Sequence, residues 1–160
     1  MTIHEKLIAL LEEHHCTYRL CSHEAEGRSE QIAKIRGNKP SQAMKAIVIM
    51  AKMSKKEKQY YLAIVPGDKM LDLDALKTYT NAPKVIFAPK ENAKEITECE
   101  IGAIPPFSFQ ENLPLIVDPL VKQNEEIVFN AGELTKSIFM KLDDYIRIVN
   151  PPFVKIAKEP

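Results

Sequence analysis

Residues 44–53 read Met44-Lys45-Ala46-Ile47-Val48-Ile49-Met50-Ala51-Lys52-Met53, and this stretch decides the fold. It is apolar and rich in β-branched residues, which pack well on a pleated surface, so it reads as a buried strand. Lys55-Lys56-Glu57-Lys58 follows as a polar hairpin tip, and Gln59 to Val65 reads as the return strand. Pro66-Gly67 is then a turn. Such a hairpin belongs to a sheet with helices packed around it.

Working outward toward the N-terminus, Asn38-Lys39-Pro40 marks a loop. Ser29 to Arg36 reads as a helix capped by Ser29, with Gly37 suited to the left-handed position after it. Thr17 to Ser22 reads as a short strand. Thr2-Ile3-His4-Glu5 fits a capping box, after which Ile3, Leu7, Leu10 and Leu11 share one helical face.

Toward the C-terminus, Asp72 or Asp74 starts a helix ending near Thr80, and Lys84 to Ala88 reads as a strand. Pro89 suits the first turn of a helix running to about Glu98. Leu113 to Val117, Glu126 to Phe129 and Ser137 to Leu142 read as further strands. Asp143 is positioned to cap a last short helix that ends before Pro151-Pro152. No internal repeat or linker divides the chain. The expectation is a single α/β (α+β) domain over residues 1–160, with a mixed central sheet surrounded by short helices.

The 160 residues suit one hydrophobic core, and 45% hydrophobic with 28% charged residues is an ordinary soluble balance. The longest apolar runs, Ala46 to Ala51 and Tyr60 to Val65, fall far short of the roughly 20 residues a spanning helix needs. The first residues lack a basic segment followed by an apolar one, so no signal peptide is expected. Three cysteines (Cys16, Cys21, Cys99), odd in number and without CxxC spacing, favour a reducing, cytoplasmic setting.

Net charge is zero, but its distribution is lopsided. From Arg28 to Lys58 nine basic residues face two acids, 9 − 2 = +7, and from Glu91 to Glu133 two basic residues face nine acids, 2 − 9 = −7. The asymmetry is either a solvated surface or a positive face turned toward phosphates.

There is no G-x-S-x-G elbow, no P-loop and no H-E-x-x-H. All four histidines lie at or before His23, none in a zinc spacing, so no metal is expected. Lys45 starts the apolar strand on the face of Ile47 and Ile49, where it either snorkels to water or stands as a fixed cation in a pocket. Gly102-Ala103-Ile104-Pro105-Pro106-Phe107 is stiffened by two prolines, which donate no N–H. Any backbone donors come from Gly102, Ala103, Ile104 or Phe107; the loop is an ordinary turn or a preorganised oxyanion clamp. Phe129-Asn130-Ala131-Gly132 reads as small residues after a strand, with Asn130 offering both donor and acceptor.

Lys45, the G-x-x-x-P loop Gly102 to Pro106, and Phe129 to Gly132 ahead of Lys136-Ser137-Ile138 occur in this order in the YbaK/prolyl-tRNA-synthetase editing-domain family, which the chain resembles over roughly residues 3 to 150. His23-Glu24-Ala25, Ile35-Arg36-Gly37, Gly102 to Phe109 and Phe129 to Gly132 add a resemblance to its YeaK-like branch, associated with seryl- and threonyl-tRNA. The resemblance implies a YbaK-like fold and a free-standing aminoacyl-tRNA deacylase without cofactor. It implies catalytic roles for Lys45 and Gly102, and substrate contacts from Ala103, Ile104, Pro105, Pro106, Asn130, Ala131, Gly132 and Ser137. Lys45 would hold the terminal adenosine phosphate or the aminoacyl end, and amides of Gly102 to Ile104 would face the carbonyl. The implied partners are mischarged tRNA and an aminoacyl-tRNA synthetase, with the chain itself a monomer. Other readings are the same deacylase directed at Ala- or Cys-tRNA, a small-molecule esterase, and a regulator that binds tRNA or a synthetase without turnover.

Overall fold

The computed structural model describes Met1–Pro160. Its elements in chain order are α1 (Ile3–Glu13), β1 (Tyr18–Ser22), α2 (Ser29–Arg36), β2 (Met44–Lys52), β3 (Lys58–Pro66), β4 (Met70–Leu71), α3 (Leu73–Thr80) and β5 (Lys84–Phe87). There follow α4 (Lys90–Thr97), β6 (Leu115–Val117), β7 (Glu126–Glu133), β8 (Lys136–Lys141), α5 (Leu142–Val149) and β9 (Ala157–Lys158).

The apolar hairpin is the centre. β2 and β3 pair antiparallel from Met44 opposite Pro66 to Lys52 opposite Lys58. β5 adds antiparallel to β2 and β6 parallel to β3, which makes a mixed sheet in the order β5-β2-β3-β6. Met44, Val48, Leu62 and Ile64 face the larger core, with Leu7 and Leu11 of α1, Phe129 of β7 and Tyr145 of α5. Ile49, Ala51, Ala63 and Val65 face a second core with Leu76 of α3 and Ile156. Both faces are covered, which is why β2 is apolar throughout rather than alternating. Each fully buried residue such as Ile49 or Leu62 contributes about 1.5–3 kcal/mol by leaving water.

Beside it lies a three-stranded antiparallel sheet, β1-β8-β7. A parallel bridge from Ala43 to Val128 joins it to the start of β2. No helix is long and apolar enough to cross a membrane.

The α1 capping box forms as expected: Thr2 Oγ1 accepts from the Glu5 amide at 3.1 Å, and Glu5 Oε1 from the Thr2 amide at 2.9 Å. Asp72 caps α3 through the amides of Asp74 and Ala75. Three expectations are corrected. Ser29 is the first residue of α2, not its cap. Just before it, the Glu26 carboxylate takes the Gly27 and Arg28 amides at 3.1 and 2.9 Å. Asp143 lies inside the first turn of α5, where its charge suits the helix dipole, and Lys141 occupies the capping position. Phe129 to Gly132 is not the end of a strand: β7 runs on to Glu133 through a register shift between Asn130 and Glu133.

Candidate functional site

A cleft of about 50 Å³ opens where α2, the start of β2, the Gly102 loop and β7 meet. Ile32, Met44, Ile104 and Phe129 supply apolar walls, and Arg36, Lys45 and Asn130 the larger polar groups. No carboxylate lines it, so its electrostatic character is positive. Four of the residues expected at the site, Lys45, Gly102, Ile104 and Asn130, share this cleft.

Lys45 is half-buried, and its Nζ donates to the carbonyl oxygen of Lys69 at 2.6 Å. Burial lowers its pKa, with the charge of Asp68 opposing the shift. The ammonium is therefore held in a defined position beside the cleft rather than waving in water.

Gly102 sits at φ +91°, in the left-handed region, and packs against Gly27. A Cβ on Gly102 would lie 2.7 Å from the Gly27 Cα, and a Cβ on Gly27 would lie 3.0 Å from the Gly102 Cα. Only two facing glycines allow this backbone contact. Beyond Gly102 the loop is tied down. The Ala103 amide donates to Glu100 O at 2.9 Å, so it is removed from the expected donor set. The amides of Gly102 and Ile104 have no protein acceptor.

The remaining expected contacts lie away from the cleft and support it. The Ala103 carbonyl accepts from the Gly132 amide at 2.9 Å. Pro105 faces a separate small crevice with Ile3 and Phe107. Pro106 O accepts from the Tyr145 hydroxyl at 2.6 Å. Ala131 is buried, and its carbonyl lies 2.7 Å from His4 Nδ1. Gly132, at φ +83°, packs against the backbone of His4. Ser137 is fully buried under Arg36.

Arg36 was no candidate on sequence grounds, yet it organises the cleft floor. Its Nε donates to Asn38 Oδ1 at 3.0 Å, and its Nη1 to Asn130 Oδ1 at 3.0 Å and Ser137 Oγ at 3.1 Å. Asn130 Nδ2 in turn donates to Glu26 O at 2.9 Å. His23 Nδ1 lies 2.7 Å from Glu24 O and therefore carries the proton, which leaves Nε2 to accept from Ser137 Oγ at 2.7 Å. The His–Ser pair resembles a nucleophilic dyad, but Ser137 has no exposed surface for a substrate to reach. Burial pushes the Arg36 pKa down to about 10, so the guanidinium stays charged at neutral pH.

A family model for the aminoacyl-tRNA editing domain matches residues 23–148, which include every cleft residue named above. The chain belongs to this family. The editing domain is 39% identical to the multifunctional Ser/Thr-tRNA deacylase ProXp-y of Escherichia coli K12, over 97% of its own length and 93% of that protein. The same holds for the ProXp-y protein of Escherichia coli O157:H7. Among solved structures, a hypothetical protein superposes with a TM-score of 0.85 at 18% identity, covering 96% of this chain and 99% of the other. A protein provisionally described as a trans-editing enzyme for prolyl tRNA synthetase superposes with a TM-score of 0.81 at 19% identity, covering 99% and 98%. At such low identity these two establish the fold of the editing domain and nothing finer.

Proposed function

We propose that this chain hydrolyses the ester of mischarged aminoacyl-tRNA in trans, with seryl- and threonyl-tRNA as its substrates. The observation that carries the reading is the cleft itself: one fixed ammonium, two unpaired backbone amides and no acid, base or thiol aimed at a substrate. That set suits an acyl group already activated as an ester. Water adds to the carbonyl carbon, the ester C–O bond breaks, and the products are the free amino acid and the tRNA ribose hydroxyl. The protein's part is to position the ester and to stabilise the oxygen that gains charge.

In this reading Lys45 holds the phosphate of the terminal adenosine or the aminoacyl end. The amides of Gly102 and Ile104 face the carbonyl oxygen. Pro105, Pro106, Ala131 and Gly132 keep the loop in place rather than touching substrate. The named relative's substrates, at 39% identity over nearly the whole chain, support the choice of seryl and threonyl esters. The basic segment from Arg28 to Lys58 receives the tRNA backbone. The chain works as a cytoplasmic monomer, on tRNA released by or bound to an aminoacyl-tRNA synthetase.

The test is deacylation of Ser-tRNA by wild type and Lys45→Ala. Removing one positioned cation should slow the reaction by about 10²-fold. The fold should stay intact, because one half-exposed hydrogen bond is worth about 1 kcal/mol. Hydrolysis by Lys45→Ala at the wild-type rate would remove Lys45 from the mechanism.

A further inference from the structure

We infer that Arg36 is the specificity-determining residue of the cleft, donating from the free edge of its guanidinium to the side-chain hydroxyl oxygen of a seryl or threonyl ester. This rests on the deacylase reading and names the group that would recognise its substrates.

Asn130 and Ser137 are the other polar groups beside the cleft, but both are largely engaged. Asn130 is buried, its Oδ1 accepts from Arg36 and one Nδ2 proton goes to Glu26 O, which leaves it a single N–H, while Ser137 bridges Arg36 and His23 without exposed surface. What they do is hold Arg36. A guanidinium has five N–H donors. Asn38, Asn130 and Ser137 take those on Nε and Nη1, and the two on Nη2 have no protein acceptor. No carboxylate pairs with Arg36 either, so every oxygen it meets is neutral. A substrate hydroxyl continues that pattern.

Space argues the same way. One water-sized group needs about 10–15 Å³ of such space, so the cleft of about 50 Å³ takes a small group of roughly three to five heavy atoms. A hydroxymethyl or hydroxyethyl side chain fits within it. Ile32, Met44 and Phe129 give its carbon atoms apolar contact, and Arg36 gives its oxygen a donor. An alanyl ester would enter, but would leave a desolvated N–H without an acceptor. Sites that bond a hydroxyl reject the analogue lacking it for that reason.

The experiment compares kcat/KM for one tRNA charged with serine or alanine, using wild type, Arg36→Met and Arg36→Lys. Wild type should prefer serine by about 100-fold or more. In Arg36→Met the preference should collapse to within about threefold, because serine hydrolysis falls much further than alanine hydrolysis. Lysine keeps a charge and a donor but not the planar fork, so Arg36→Lys should show an intermediate ratio. Equal slowing of both esters by Arg36→Met, with the ratio unchanged, would overturn the inference. If that slowing vanished on seryl-adenosine lacking a 5′-phosphate, Arg36 would be a phosphate ligand instead. Should circular dichroism show Arg36→Met unfolded, Arg36→Lys decides alone, and an unchanged ratio there overturns the inference. A wild type inert toward all charged tRNAs would overturn the deacylase reading and this inference with it. An active wild type whose serine-to-alanine ratio ignores residue 36 would overturn this inference only.

Discussion

The Tyr145 hydroxyl donates to the Pro106 carbonyl at 2.6 Å inside the core, joining α5 to the loop that begins at Gly102. The Phe107 ring stacks edge-on against Tyr145 at 5.2 Å and tilted against Phe129 of β7 at 5.5 Å. A proline-stiffened loop is thereby held from both sides. Tyr145→Phe keeps the rings and removes the only donor to a buried carbonyl, at a cost of about 1–3 kcal/mol. Chemical denaturation should read that loss. kcat should fall with it, because the loop carries the two free amides. A variant as stable as wild type would show that water or another group satisfies Pro106.

Gly102→Ala should be more damaging than any loop substitution that keeps φ negative. Its Cβ meets the Gly27 backbone at 2.7 Å, and its φ of +91° disfavours any side chain. Left-handed strain alone costs roughly 1–2 kcal/mol, and the clash forces the two segments apart. Deacylation should be nearly abolished while α1 and the hairpin stay folded. Near-normal activity would mean that the Gly27–Gly102 contact does not shape the site.

Acid should loosen the segment ahead of α2. The Arg28 guanidinium and the Arg28 amide hold the Glu26 carboxyl at a pKa of about 2, against 4.5 for a free glutamate. A depressed carboxylate stabilises the fold fully above pH 4.5, and this is lost as pH falls through about 2. Between those limits wild type should lose stability more steeply than Glu26→Gln, measured as urea midpoints. Parallel curves would mean that the Glu26 carboxyl is as free in the folded chain as in the unfolded one.

Charged-tRNA binding should weaken with added salt, since neutralising phosphates releases counterions. Lys55, Lys56 and Lys58 stand exposed at the β2–β3 tip. Reversing all three to Glu should raise KM for charged tRNA and leave kcat in place. A flat salt response and unchanged KM would confine recognition to the aminoacyl-adenosine end.

Cys99 is buried, which pushes its thiol pKa up to about 12. It should resist alkylation at pH 8 in the folded protein and react once denaturant is added, because the thiolate is the nucleophile. Rapid native labelling of Cys99, read by mass spectrometry, would contradict its packing.

What the sequence made legible was local. The Thr2–Glu5 box, the Asp72 cap and the apolar hairpin each depend on residues a few positions apart, and each appears where expected. The extension of β7 through Asn130 was hidden because a bulge exists only against a partner strand. Arg36 was hidden for a related reason. Its bonds to Asn130 and Ser137 cross 94 and 101 positions, and a basic residue ending a helix ordinarily reads as a dipole partner. The pairing of Gly27 with Gly102 likewise needs the fold before either glycine has a reason.

The most direct measurement is release of labelled amino acid from Ser-, Thr-, Ala- and Cys-charged tRNA by the purified chain, set against spontaneous hydrolysis. Hydrolysis well above the spontaneous rate, with the highest kcat/KM for the seryl and threonyl esters, is the predicted result. A chain that binds these tRNAs and releases no amino acid faster than buffer would contradict the assignment as a deacylase.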